Sequence, residues 1–135
     1  MQYTTIASGT YPSETWTAPY TVGSGDFRAS SQFDSAGNLH MATLMATGAI
    51  QYYQKTSGGT WIGPETVAGT SDDIDTGAGV VDSGPSLAID KQGLPNVTWT
   101  GLDNGTGVPS LGIRVASRTV SSSRFPYQDA DKLAH

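Results

Sequence analysis

The sequence predicts an all-β fold made of repeated four-stranded antiparallel units, and three observations carry that reading. Thr, Gly and Ser dominate, while Glu and Lys, which favour helices, are scarce. Positions on one face alternate over short runs, as in Ile50, Tyr52 and Gln54 or Ile113, Val115 and Thr119. That is the period of a half-buried strand and not of a helix. Clusters of Gly, Asp, Asn and Ser separate these runs, as tight turns between antiparallel strands require.

Self-comparison sets the units. Trp16-Thr17-Ala18-Pro19-Tyr20-Thr21-Val22 matches Trp61-Ile62-Gly63-Pro64-Glu65-Thr66-Val67. Ser31 to His40 matches Ser86 to Pro95, and Ile50 to Thr56 matches Ile113 to Thr119. The chain therefore divides into a partial unit over 1–29, a unit over 30–67, an acidic insertion over 68–84 and a unit over 85–129. Within each fuller unit, an inner strand ends in an Asp-x-x-Gly turn, at Asp34 to Gly37 and at Asp90 to Gly93. A second strand follows over 39–44 and 96–100, then a third over 50–56 and 111–119. The fourth begins at Trp61 in one unit and at Phe125 in the other. Asn104-Gly105 is a strong hairpin dipeptide, and the tail from Asp129 to His135 has at most one helical turn. Four antiparallel strands in a repeat of about 40–50 residues are the signature of a β-propeller blade.

Composition bounds the rest. A chain of 135 residues is one domain, and with no cysteine it holds neither a disulfide framework nor a thiolate metal site. The net charge of −5 argues against sequence-independent nucleic-acid binding, which needs a basic face. No apolar run approaches a membrane span, and the first residues lack the pattern of a secretory signal. The lysine-poor, Thr/Gly/Ser-rich composition suits an extracellular setting or the surface of a cell or particle.

The stretch Pro85-Ser86-Leu87-Ala88-Ile89-Asp90-Lys91-Gln92-Gly93-Leu94-Pro95-Asn96-Val97-Thr98-Trp99 resembles the blades of bacterial sialidase-like and BNR-repeat β-propellers. The resemblance covers most of residues 30–119, and it departs from the Asp-box pattern in placing Trp99 farther behind the glycine. It implies a propeller fold and glycan recognition. About two to two and a half blades cannot close a ring of four to eight. Copies sharing one ring, as in short fucose-binding bacterial lectins, a longer parent protein, or an open sheet would each resolve the arithmetic. Unpaired sheet faces favour a homo-oligomer.

For a glycan the expected pocket lies between blades and uses Trp61, Glu65, Arg114 and Trp99, with Trp16 at the position equivalent to Trp61. Aromatic faces stack on sugars, and charged groups bind hydroxyls. A repeated tryptophan is equally a packing residue between sheets. Asp34 and Asp90 are expected to fix their turns through backbone N–H groups. His40 has no Ser or Cys partner at a meaningful spacing, which leaves a strand-facing histidine or a sugar contact. Asp73, Asp75 and Asp82 form the densest acidic segment and a weak calcium candidate, lacking the closing bidentate Glu of a calcium loop. No other cofactor is implied. Nothing places two carboxylates at the separation glycoside hydrolysis needs, so a non-catalytic role is expected. The readings are thus a lectin-like module, a structural protein of a virion or surface layer, or a fragment of a sialidase-like hydrolase.

Overall fold

The structure, a computed structural model, describes residues 2–3, 6–8, 15–16, 18–23, 26–45, 47–69, 84–103, 110–119 and 127–129. Among these residues all regular structure is β-strand, as expected. Strands β1 (Gln2–Tyr3), β2 (Ile6–Ser8), β3 (Thr15–Trp16) and β4 (Tyr20–Thr21) form two nested antiparallel pairs, β1 with β4 and β2 with β3. Next come β5 (Asp26–Phe33), β6 (Leu39–Met45), β7 (Ile50–Lys55) and β8 (Trp61–Ala68), a four-stranded antiparallel meander called sheet I below. Sheet II is a second meander of β9 (Ser86–Ile89), β10 (Pro95–Asp103), β11 (Ser110–Ser117) and β12 (Tyr127–Asp129).

Registers match between the sheets. Ala42 faces Tyr52 and Thr98 faces Val115, while Tyr52 faces Glu65 and Val115 faces Gln128. The first pair of strands is likewise equivalent to β7 and β8, because Tyr3 faces Tyr20 and Ile6 faces Trp16. One boundary differs from expectation. The second strand of sheet II runs on to Asp103, because its ladder with β11 continues to the Asp103–Ser110 pair. The described part of its fourth strand is Tyr127–Asp129, paired with Arg114 to Ala116, and the expected start at Phe125 lies outside the described residues. The acidic segment 70–83, Asn104-Gly105 and the tail 130–135 lie outside the described residues.

One turn recurs through both sheets. At Asp34–Asn38 the first N–H donates to the last carbonyl, and the Gly37 N–H donates back to Asp34. Met45–Ala49, Thr56–Thr60 and Asp90–Leu94 repeat the pattern. Their fourth residues, Gly37, Gly48, Gly59 and Gly93, have φ between +80° and +93°. This is a tight turn followed by a left-handed residue, a conformation that glycine adopts without a Cβ clash.

Period-2 alternation gives each sheet two faces. The leading face of sheet I carries Leu39, Met41 and Tyr53, with Val22 and Trp61 packed on them. Its trailing face carries Ala42, Leu44, Ile50 and Tyr52 and packs on Leu87, Val97, Trp99 and Ala116 of sheet II. By register those last four lie on the leading face of sheet II. The sheets therefore stack leading face on trailing face. The N–H groups of Leu87 and Ile89, on the edge strand β9, donate to Ser30 Oγ and Gln32 Oε1 of β5, both at 3.0 Å. Side chains thus satisfy an edge that would otherwise invite a foreign strand.

Candidate functional site

The polar groups with the richest chemistry lie at one end of the joint between the sheets. Asp34 opens the first turn, and its Oδ1 accepts the Ala36 and Asn38 N–H groups at 2.9 and 2.8 Å. Its Oδ2 accepts the Asn38 side-chain amide at 2.7 Å and contacts His40 Nε2 at 3.1 Å. Asn38 then ties this turn to the next, its Oδ1 accepting the Ser57 N–H at 2.9 Å. The Asn38 amide, with His40 and the two backbone N–H groups, holds the Asp34 carboxyl well below the usual carboxylate range against the opposing effect of burial.

An ionised carboxylate only accepts, so His40 Nε2 carries the donated proton, and in the neutral imidazole Nδ1 is the acceptor. Nδ1 lies 2.5 Å from the Tyr52 hydroxyl, which donates to it. His40 is buried because it shares the trailing face with Ala42 and Leu44. Burial pushes the Tyr52 hydroxyl up to about 12. It stays protonated at neutral pH and serves as a hydrogen-bond donor, not as a nucleophile. Arg118, just beyond β11, places its guanidinium 4.8 Å from the centre of the Tyr52 ring and bonds the Glu65 carboxylate. The Arg118 N–H also donates to the Pro95 carbonyl at 3.0 Å, which fixes the segment that brings the guanidinium to sheet I. Tyr52 thus joins two groups: its hydroxyl ends the chain Asp34–His40–Tyr52 within sheet I, and its ring lies under Arg118, whose pair with Glu65 pins sheet II to sheet I.

The predicted glycan residues are distributed differently. Trp61 is half-buried on the leading face of sheet I, against Leu39, Met41 and Tyr53. Glu65 pairs with Arg118 beside Tyr52, on the trailing side. The sheet itself separates these two. Trp99 and Arg114 are cross-strand neighbours on the leading face of sheet II, each 3% exposed. A stacking platform must be open to its ligand, and Trp99 is spent in the core between the sheets. Trp16 pairs with Ile6 in β3, and its side chain lies outside the described residues. Asp73, Asp75 and Asp82 also lie outside them, and among the described residues no His, Asp and Glu cluster of three could hold a metal ion.

Sequence reasoning passed over Tyr52 and Arg118 and did not link His40 to Asp34. The signal lay in the repeat: at matched registers His40 becomes Asn96, Tyr52 becomes Val115 and Glu65 becomes Gln128. Polar identity changes there while the scaffold is kept.

On the trailing face of sheet II lies a cleft of about 160 Å³, lined by Gly84, Ser86, Thr98, Trp99, Thr100 and Ile113. That is smaller than the ~300–1,000 Å³ of ordinary ligand sites. No family model, curated protein or solved structure matches the chain.

Proposed function

We propose that the chain is a non-catalytic assembly module, a run of propeller-blade units that works by stacking sheet on sheet within a larger structure such as a particle or surface layer. The observation that supports this reading is the fate of the polar and aromatic groups. Trp99, Arg114, Glu65, Tyr52 and Arg118 are all engaged in the joint between the sheets, where they serve packing. Light scattering across a concentration series tests it. Mass that grows with concentration supports the module, and a strict one-chain mass at every concentration overturns it. Turnover of a fluorogenic sialoside or other glycoside, lost on Glu65→Gln, would overturn the non-catalytic part.

A second reading, glycan recognition, is favoured by the cleft on sheet II. Ser86, Thr98 and Thr100 place hydroxyls around it, and Ile113 offers an apolar wall. Such a lining suits one sugar ring more than a long chain. A glycan array at physiological salt distinguishes the readings: binding that is lost on Thr98→Val supports recognition, and a blank array removes it.

A further inference from the structure

Among the described residues, the stack of sheets is closed at one end and open at the other. The leading face of sheet I is closed, because Leu39, Met41 and Tyr53 are buried with Val22, just past β4, packed on them. Its trailing face and the leading face of sheet II close on each other. The trailing face of sheet II is the open one. Ser86 and Ala88 are exposed there, Thr98 and Val115 are half-buried, and Ile113 is 60% exposed. No described strand position on this face is charged. The whole chain carries a net charge of −5. Two copies therefore meet the least repulsion where neither presents a charge.

Shape gives a second argument. Ile113 stands beside a cleft of about 160 Å³, whose other walls are Gly84, Ser86, Thr98, Trp99 and Thr100. A cavity of about 150 Å³ takes one benzene-sized apolar group. The cleft thus has room for one aliphatic side chain. Ile113 is at once the protruding side chain and a wall of the hollow, so the two lie next to each other. A single two-fold axis passing between them seats each isoleucine in the hollow of the other copy.

We infer that two copies pair through the trailing faces of sheet II, each Ile113 entering the other copy's cleft. This rests on the assembly reading above and gives it a face and a symmetry. The contact is isologous, the same surface on both partners, and it closes at two copies. Its size follows from the strands. The β10–β11 ladder runs over eight residue pairs in a four-stranded sheet. At about 3.3 Å per residue and about 4.8 Å between strands, the face measures about 25 by 15 Å. It therefore offers about 400 Å² per copy, half of what a standard interface buries, and the pair forms reversibly.

The test is sedimentation velocity over a concentration series of the whole chain. The wild type shifts between one-chain and two-chain species. Ile113→Asp raises the dissociation constant at least tenfold, and Ile62→Asp, an exposed position on sheet I, leaves it unchanged. Ile113→Thr, a residue at home in strands, moves it in the same direction, and circular dichroism checks the strand signal of each variant. Ser86→Leu fills the hollow from its own wall. A larger apolar side chain strengthens an unspecific contact and weakens this one. The chain has no cysteine, so Thr100→Cys is a unique probe beside the two-fold axis. On mild oxidation it gives a disulfide-linked pair, and Ile62→Cys does not. Pairing unchanged in Ile113→Asp, equal weakening by Ile62→Asp, strengthening by Ser86→Leu, no cross-link at Thr100→Cys, or growth past two copies each overturn the inference while the assembly reading stands. A wild-type chain that never associates overturns both.

Discussion

Gly59 and Gly63 provide a matched pair for separating backbone conformation from close packing. Both lie between β7 and β8 or just inside β8, and both have positive φ, +93° and +111°. A Cβ at Gly59 would meet nothing within 4 Å. A Cβ at Gly63 would sit 2.8 Å from the Tyr52 carbonyl oxygen and 3.3 Å from Tyr53 Cα. These are backbone atoms of the neighbouring strand and cannot swing aside. For Gly59→Ala the cost is the left-handed conformation, about 1–2 kcal/mol. Reduced freedom of the unfolded chain offsets about 0.4–1 kcal/mol of it, leaving a loss of about 1 kcal/mol. Gly63→Ala carries the same cost plus overpacking of about 1–3 kcal/mol, for a loss of about 3 kcal/mol. With a urea slope of about 1.5 kcal/mol/M, the midpoints fall by about 0.7 M and 2 M. Urea unfolding followed by circular dichroism reads both. A Gly63→Ala midpoint no lower than that of Gly59→Ala would refute the close approach of β7 to β8 at this point.

Three further outcomes follow from the joint. Tyr52→Phe leaves His40 Nδ1 without its 2.5 Å donor and destabilises by about 1–3 kcal/mol; in an alkaline absorbance titration, the step removed from the wild-type curve lies near pH 12 instead of near 10. Leu44→Ala opens a void between the sheets and costs about 2–5 kcal/mol in urea unfolding, because Leu44 is 2% exposed there. Asp34→Ala destabilises more than Asp90→Ala, since Asp90 accepts the Gln92 and Leu94 N–H groups alone while Asp34 also holds Asn38 and His40. The folded Asp34 carboxyl is depressed, so its contribution is present above the unfolded value of about 3.9 and fades as pH falls below it. Stability measured from pH 6 to pH 2 therefore falls less steeply in Asp34→Ala than in the wild type.

The strands and turns were legible because their signals are local. Alternation in Ile50 to Lys55 and the glycine fourth in each turn act over a few residues, and the repeat fixes which strand follows which. The predicted role of Asp34 and Asp90 in fixing turns also rests on bonds within four residues. The joint was not legible in the same way. Its polar chain runs from Asp34 through His40 to Tyr52, which the pairing of β6 with β7 brings together over 6 to 12 residues, and then to Arg118, which only stacking sets against Tyr52 and Glu65. The predicted pocket failed to gather for a related reason. Gly63-Pro64 interrupts β8 with a register shift, so Trp61 and Glu65, four residues apart, end on opposite sides of sheet I. Strict alternation would have kept them together.

The two sheets share their scaffold and differ in what they present at matched positions, and the difference has a direction. Sheet I places Ala42, Leu44, Ile50 and Tyr52 on its trailing face, and sheet II places Thr98, Thr100, Ile113 and Val115 at the same registers. The first set forms a covered core with His40 and Glu65 at its end. At the registers of His40 and Glu65, sheet II has Asn96 and Gln128. A face meant only for water would have no need to keep Ile113 and Val115, and a permanent core would have no need to replace Leu44 with Thr100. The mixture leaves apolar and hydroxyl side chains side by side on that face, whereas the trailing face of sheet I is apolar where sheet II covers it. The polar contact that crosses the covered joint is the Arg118–Glu65 pair, while the histidine chain stays within sheet I and holds Tyr52 in place beneath the arginine.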